Sequence, residues 1–297
     1  MNAVVCSFVR RSLLGAVLVF GAASAAAAAE DGDVFADSSR IASIGGSLTE
    51  IVYALGQQEH LVARDSTSLY PQEALKLPDV GYMRQLSPEG VLSVNPSGIL
   101  ALQGSGPKEA VEVLKKASVP YVEVPETFDH EGILAKIRAV GKAFGVDDRA
   151  AALAMEVDAK LKAAEQLTAA VKQRKRVLFI LSMQGGKILA SGGDTAADGI
   201  VKLAGGVNAI EGFTGYKQLS DEAAVTAAPD VILMMDHAGP AVSDEELFAN
   251  AAISQTPAGA ARKVIRMDGG YLLGFGPRTA DAVHDLAVAL YGADLGQ

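Results

Sequence analysis

Apolar positions in this chain fall into short runs separated by amphipathic stretches. Arg40-Ile41-Ala42-Ser43-Ile44 reads as a strand that stops at Gly45-Gly46. Leu48, Ile51, Val52 and Leu55 then recur at i, i+3, i+4 and i+7, the spacing of a helix with one buried face. Ser47 is placed to cap that helix and Gly56 to close it. Glu50, three residues after Ser47, completes a capping box and is read as structural for that reason. Residues 60–63, 99–102 and 121–124 read as further strands, with helical stretches between them, and residues 66–71 form the loop after the second strand. This alternation predicts an α/β lobe over residues 38–146 with a mainly parallel sheet.

From Asp147 to about Lys172 the helical pattern runs without Gly or Pro, rich in Ala, Leu, Lys and Glu. A helix of that length spans about 39 Å and acts as a rigid connector, since a flexible linker would carry Gly, Ser or Pro. A second lobe follows over residues 173–297. Its strands are predicted at 176–181, 231–235 and 264–267, with helices over 195–203 and from Arg278 to about Tyr291. Gly185-Gly186 and Gly192-Gly193 mark a glycine-rich stretch after its first strand.

The two halves share a frame. Leu86-Ser87-Pro88-Glu89, Pro96 and Ile99-Leu100 return as Leu219-Ser220-Asp221-Glu222, Pro229 and Ile232-Leu233. Every landmark is displaced by the same 133 residues. That displacement is too long for a solenoid repeat and matches the size of a domain. The expected architecture is α/β: two Rossmann-like lobes joined by the long helix, with a ligand cleft between them.

The first 29 residues belong to a different category. Arg10 and Arg11 precede an uncharged apolar stretch from Leu13 to about Ala22, and an Ala-rich tail ends near Ala29. This is the pattern of a secretory signal peptide, cleaved near Ala29; the paired arginines also permit a twin-arginine route. Cys6, the single cysteine, lies before the apolar stretch, so the exported chain has no thiol and no disulfide. Removing two arginines and no acid takes the net charge from −9 to −11, which argues against nucleic acid or an anionic membrane as partner.

Catalytic signatures are missing. His60, His130, His237 and His284 are scattered, without the spacing of a helical metal pair. There is no Gly-x-Ser-x-Gly elbow and no Walker loop. What remains is a set of loops at strand ends, where open α/β sheets bind ligands. They read Asp65-Ser66-Thr67-Ser68-Leu69-Tyr70-Pro71, Gly81-Tyr82-Met83-Arg84, Gly192-Gly193-Asp194-Thr195-Ala196-Ala197-Asp198 and Tyr271-Leu272-Leu273-Gly274-Phe275-Gly276-Pro277-Arg278. In this order behind a signal peptide, they resemble the periplasmic haem-binding proteins of bacterial haem ABC importers. The likeness covers residues 38 to 295.

The resemblance implies that Tyr70 is the axial ligand of the iron of haem b. A free tyrosine ionises near pH 10, so an iron-bound phenolate needs cationic help. Arg84, Lys217 and Arg278 are candidates for that help or for neutralising the haem propionates. Tyr82, Met83 and Tyr271 either line the faces of the macrocycle or simply pack. Some relatives carry a His in the loop after the first strand of the second lobe. Here that loop reads Leu181-Ser182-Met183-Gln184-Gly185-Gly186, which predicts one haem per chain. The resemblance further implies that Glu89 and Glu222 dock onto arginines of the membrane permease, although an acid in a first helical turn also complements the helix dipole. Expected partners are haem, the importer permease and its ATPase, and an outer-membrane haem receptor upstream, with the protein itself a monomer. A ferric siderophore or cobalamin binder of the same fold, and an exported α/β enzyme, are the competing readings.

Overall fold

The computed structural model describes Met1, residues 34–236, residues 242–292 and Leu295. The leader, with Cys6, Arg10 and Arg11, and also His237 lie outside the described residues. In the first lobe the order is β1 (Ile41–Ile44), α1 (Gly46–Ala54), β2 (Leu61–Arg64), α2 (Pro88–Leu92), β3 (Gly98–Leu102), α3 (Lys108–Lys116), β4 (Tyr121–Val124) and α4 (His130–Ala143). Its sheet is wholly parallel, in the order β2-β1-β3-β4. The chain moves from β1 to one side and then to the other, so the carboxyl end of β1 is a topological switch point, the usual place for a ligand crevice.

Helix α5 (Asp147–Leu167) connects the lobes. Ala150, Ala154, Val157, Leu161 and Ala164 form its buried stripe, alternating steps of four and three residues. The helix has 21 residues, about 31 Å by the rise per residue, and stops five residues short of the expected end at Lys172. Thr168 ends it: its hydroxyl donates back to the Glu165 carbonyl and its side chain is buried against Gly205. Nothing in the local composition signals that stop.

The second lobe comprises β5 (Arg176–Gln184), β6 (Lys187–Ser191), α6 (Ala196–Leu203), β7 (Val207–Asn208), β8 (Tyr216–Leu219), α7 (Asp221–Ala227), β9 (Val231–Asp236), α8 (Asp244–Ala249), α9 (Pro257–Ala260), β10 (Val264–Asp268), α10 (Gly269–Leu273) and α11 (Thr279–Tyr291). Its sheet runs β10-β9-β5-β6-β8, with β7 pairing β5. β10, β9, β5 and the short β7 pair in parallel, whereas β6 and β8 join by antiparallel pairing, so only part of this sheet is Rossmann-like. Gly185 and Gly186 both have positive φ, 56° and 78°, and form the two-residue turn between β5 and β6.

Helix α5 packs on α4 of the first lobe and α11 of the second. One apolar cluster therefore runs through both lobes, from Ile41 and Ile44 to Phe179, Leu233 and Leu286. Successive residues of β5 alternate between this cluster and a second one: Val177 and Phe179 face the first, Leu178 and Ile180 the second.

Candidate functional site

The loop that carries Tyr70 is built on one buried carboxylate. Asp65, at the end of β2, is fully buried. Its Oδ1 accepts from the Gly45 N–H at 3.0 Å and the Ser68 hydroxyl at 2.7 Å; its Oδ2 accepts from the Thr67 N–H at 3.0 Å and the Thr67 hydroxyl at 2.7 Å. Ser68, Thr49 and Ser43 extend this into a chain of buried hydroxyls, at 2.7 and 2.8 Å. Gly46 makes the close approach possible, since a Cβ there would lie 2.6 Å from the Thr67 carbonyl oxygen. A buried, fully satisfied network fixes a loop far better than surface contacts do. Asp65→Asn removes the charge and turns one acceptor into a donor facing donors. We expect a loss of about 2 kcal/mol in chemical denaturation.

Beyond that anchor, Leu69 and Tyr70 stand out, 57% and 45% exposed. A hydrogen bond from Ser66 N–H to the Gly81 carbonyl, 2.9 Å, ties this loop to the next, where Tyr82 is 42% exposed. Large apolar side chains presented at strand ends suit an apolar ligand.

Arg278, from the other lobe, lies over Tyr70, its guanidinium carbon 3.6 Å from the ring centroid. Glu50 holds it there. Glu50 Oε1 accepts from the Arg278 backbone N–H and Oε2 from Nε, both at 2.9 Å, and Nη2 makes an ion-pair contact with Oε2, also at 2.9 Å. This overturns the capping-box reading of Glu50. Helix α1 starts at Gly46, so Ser47 lies inside it and caps nothing; its N-cap is Gly45, whose φ of 119° suits glycine. Burial pushes the Glu50 carboxyl up from its ordinary value, opposed by the Arg278 charge.

A second tie runs beside the first. Lys136, on α4, is fully buried and donates to Glu126 Oε1 at 2.6 Å, to the Phe275 carbonyl at 3.0 Å and to the Ser47 hydroxyl at 3.4 Å. Burial lowers the Lys136 pKa and raises that of Glu126. Phe275 is itself fully buried, edge-on to Phe128 with centroids 5.2 Å apart. The segment Gly274 to Arg278 is thus fastened to the first lobe by Glu50 and Lys136.

The other expected residues are placed unevenly. Arg84 is exposed, and its charge reaches Glu126 in its own lobe and Tyr216 in the other. Met83 is buried in the core, its sulfur 4.0 Å from the Thr67 hydroxyl. Tyr271 lies 5.5 Å from Arg278 and donates to Asp285 at 2.9 Å; burial and that acceptor hold its phenol well above the usual range. Lys217 sits within β8 rather than on a loop, its ammonium 5.3 Å from the Phe213 ring centroid. Ala190, its register partner, belongs to the second apolar cluster, so Lys217 projects from the face opposite Tyr216.

Residues 41–271 match the family described as periplasmic binding protein. The chain belongs to that family. Among solved structures, the periplasmic heme-binding protein BhuT, in complex with two hemes, is 42% identical, with a TM-score of 0.80, covering 84% of this chain and 97% of BhuT. RhuT from Roseiflexus sp. RS-1, a periplasmic heme-binding protein in apo form, is 37% identical with a TM-score of 0.81, covering 86% and 99%. YvrC of Bacillus subtilis, an uncharacterized ABC transporter substrate-binding lipoprotein, is 27% identical over 265 residues, 88% of this chain and 83% of YvrC. Periplasmic binding proteins work outside the cytoplasm. No described helix is long and apolar enough to cross a membrane. Among the described residues no three His, Cys, Asp or Glu side chains converge as ligands for a metal ion.

In this periplasmic binding protein the repeat of the sequence becomes a repeat of structure. α2 and α7 start 133 residues apart, as do β3 and β9. Ser87 and Ser220 are the N-caps, each accepting from the N–H three residues on, at 3.3 and 3.2 Å. Glu89 and Glu222 each occupy the second helical position and are exposed. Glu89 also accepts from the Ser87 hydroxyl at 3.0 Å.

Proposed function

We propose that this protein is the periplasmic haem-binding component of an ABC importer and that Tyr70 holds the iron. The observation that carries this reading is the pairing of an exposed Tyr70 with the Arg278 guanidinium stacked on its ring. A phenolate is an established ligand of haem iron, and the Arg278 guanidinium places a cation beside the ring that would supply it. Leu69 and Tyr82 add apolar surface for the macrocycle, while Arg84 offers a cation to a propionate. Met83 packs rather than presents itself, and Lys217 supports the site least. The likeness to BhuT and RhuT, both haem binders, gives the ligand class its independent support.

The proposed cargo is haem b. The chain is made with a leader cleaved near Ala29, works in the periplasm as a monomer, receives haem downstream of an outer-membrane receptor, and passes it to the permease and its ATPase. It acts as a binding protein rather than an enzyme. Hemin titration of the purified apo protein tests this reading. A Soret shift that saturates at one equivalent is expected, because no His stands in the loop from Leu181 to Gly186. The BhuT structure holds two hemes, so a break at two equivalents is the outcome that refutes the single-haem stoichiometry. Failure to saturate refutes haem as the ligand.

A further inference from the structure

Arg278 comes from the second lobe, yet its place is set by the first. Three nitrogens of this one residue converge on the Glu50 carboxylate: the backbone N–H and Nε donate hydrogen bonds, and Nη2 adds an ion-pair contact. The Glu50 side chain is only 9% exposed and that of Arg278 26%. A carboxylate so removed from water is unfavourable unless it is paired and hydrogen-bonded, so packing alone does not account for an acid here. Both contacts of the guanidinium edge go to one oxygen, Oε2, while Oε1 holds the backbone of the same residue, so Glu50 fixes Arg278 at its main chain and at its head group. The head group so held lies over the Tyr70 ring, its carbon 3.6 Å from the centroid. Gly276 packs against the pair, a Cβ there lying 3.4 Å from the Glu50 carboxyl. Nη1 of Arg278 has no hydrogen-bond partner among the described residues, which leaves it available to an anionic group of the ligand.

We infer that Glu50 is a positioning residue of the ligand site: it holds Arg278 over Tyr70 before the ligand arrives. This rests on the haem reading and on Tyr70 as the ligand. Without Glu50, Arg278 swings among its many rotamers and the phenolate loses its fixed cation. Glu50→Gln is isosteric and still accepts from the backbone N–H, but it cannot form the ion pair with the guanidinium.

The experiment uses the full chain loaded with hemin, with apomyoglobin as the acceptor for released haem. Glu50→Gln should still saturate with hemin, shift the phenolate-to-iron charge-transfer band, and release haem about tenfold faster. Arg278→Ala should release it as fast, and the double variant no faster than Arg278→Ala alone. Glu50→Asp keeps the charge at shorter reach and should fall between; it carries the same test if Glu50→Gln does not fold. An unmoved band and a wild-type release rate in the Glu50 variants overturn the inference while the haem reading stands. So do effects of Glu50→Gln and Arg278→Ala that simply add. A wild-type protein with no saturable hemin spectrum overturns both.

Discussion

Tyr70→Phe should abolish the phenolate-to-iron charge-transfer band and accelerate haem loss on the order of a hundredfold, equivalent to about 2.8 kcal/mol. The substitution keeps the ring, and with it the stacking surface for Arg278, 3.6 Å away. It removes only the oxygen. The loop should not collapse, because Asp65, Thr67 and Ser68 hold it through contacts that do not involve the Tyr70 side chain. Stability should therefore stay within about 0.5 kcal/mol, the range for exposed sites. The two readouts separate ligation from packing: hemin release monitored with apomyoglobin, and denaturation of the apo protein. A variant that keeps the band and the release rate of the wild type removes Tyr70 from the coordination sphere. One that unfolds more easily by several kcal/mol shows that the ring has a packing role, which its exposure does not suggest.

Much of the scaffold was legible because local patterns dictate it. Apolar runs and i, i+3, i+4 spacing placed β1, α1, β3, β4, β9 and α11 within a residue or two. The 133-residue frame survives as equal starts for α2 and α7 and for β3 and β9. The β5–β6 hairpin had a readable signal in Gly185-Gly186 between apolar runs, but alternation of strand and helix favoured a Rossmann-like reading there. The end of α5 had no such signal, since Thr168 stops the helix by burial against Gly205, a tertiary effect. Glu50 was misassigned for a related reason. A local motif, Ser47 to Glu50, competed with a partner 228 residues away, and the partner won. Lys136 carries a readable signal of the same long-range kind. It lies three residues after Ile133 and four before Val140, on the apolar face of α4, and a cation on an apolar face needs a buried acid. Tyr70 and Arg278 entered as separate candidates. Their stacking depends on how the two lobes meet, which no single segment encodes.

Reversing both repeat glutamates should block haem delivery without affecting haem capture. Glu89 and Glu222 stand at matching positions on α2 and α7, exposed on short helices that begin right after their serine caps. In the proposed transport cycle each meets an arginine of the permease. Glu89→Arg with Glu222→Arg makes both contacts repulsive, and like charges facing each other across an interface cost several kcal/mol each. Delivery into vesicles carrying the importer should fall by more than about a hundredfold, since each 1.4 kcal/mol is a factor of ten. The expected side effect is smaller. A cation near a helix N-terminus costs roughly 0.3–1 kcal/mol, and Glu89 also loses its bond from the Ser87 hydroxyl. Denaturation of the double variant should accordingly show a loss of no more than about 2 kcal/mol from the two ends together. Hemin titration of the same preparation should match the wild type, because the charges that flank Tyr70 belong to Glu50 and Arg278. The single variants separate the lobes: if both contacts are needed for a productive complex, each alone should already impair delivery. A folded double variant that delivers haem at the wild-type rate would leave Glu89 and Glu222 as helix-end acids. The repeat would then record only the common build of the two lobes.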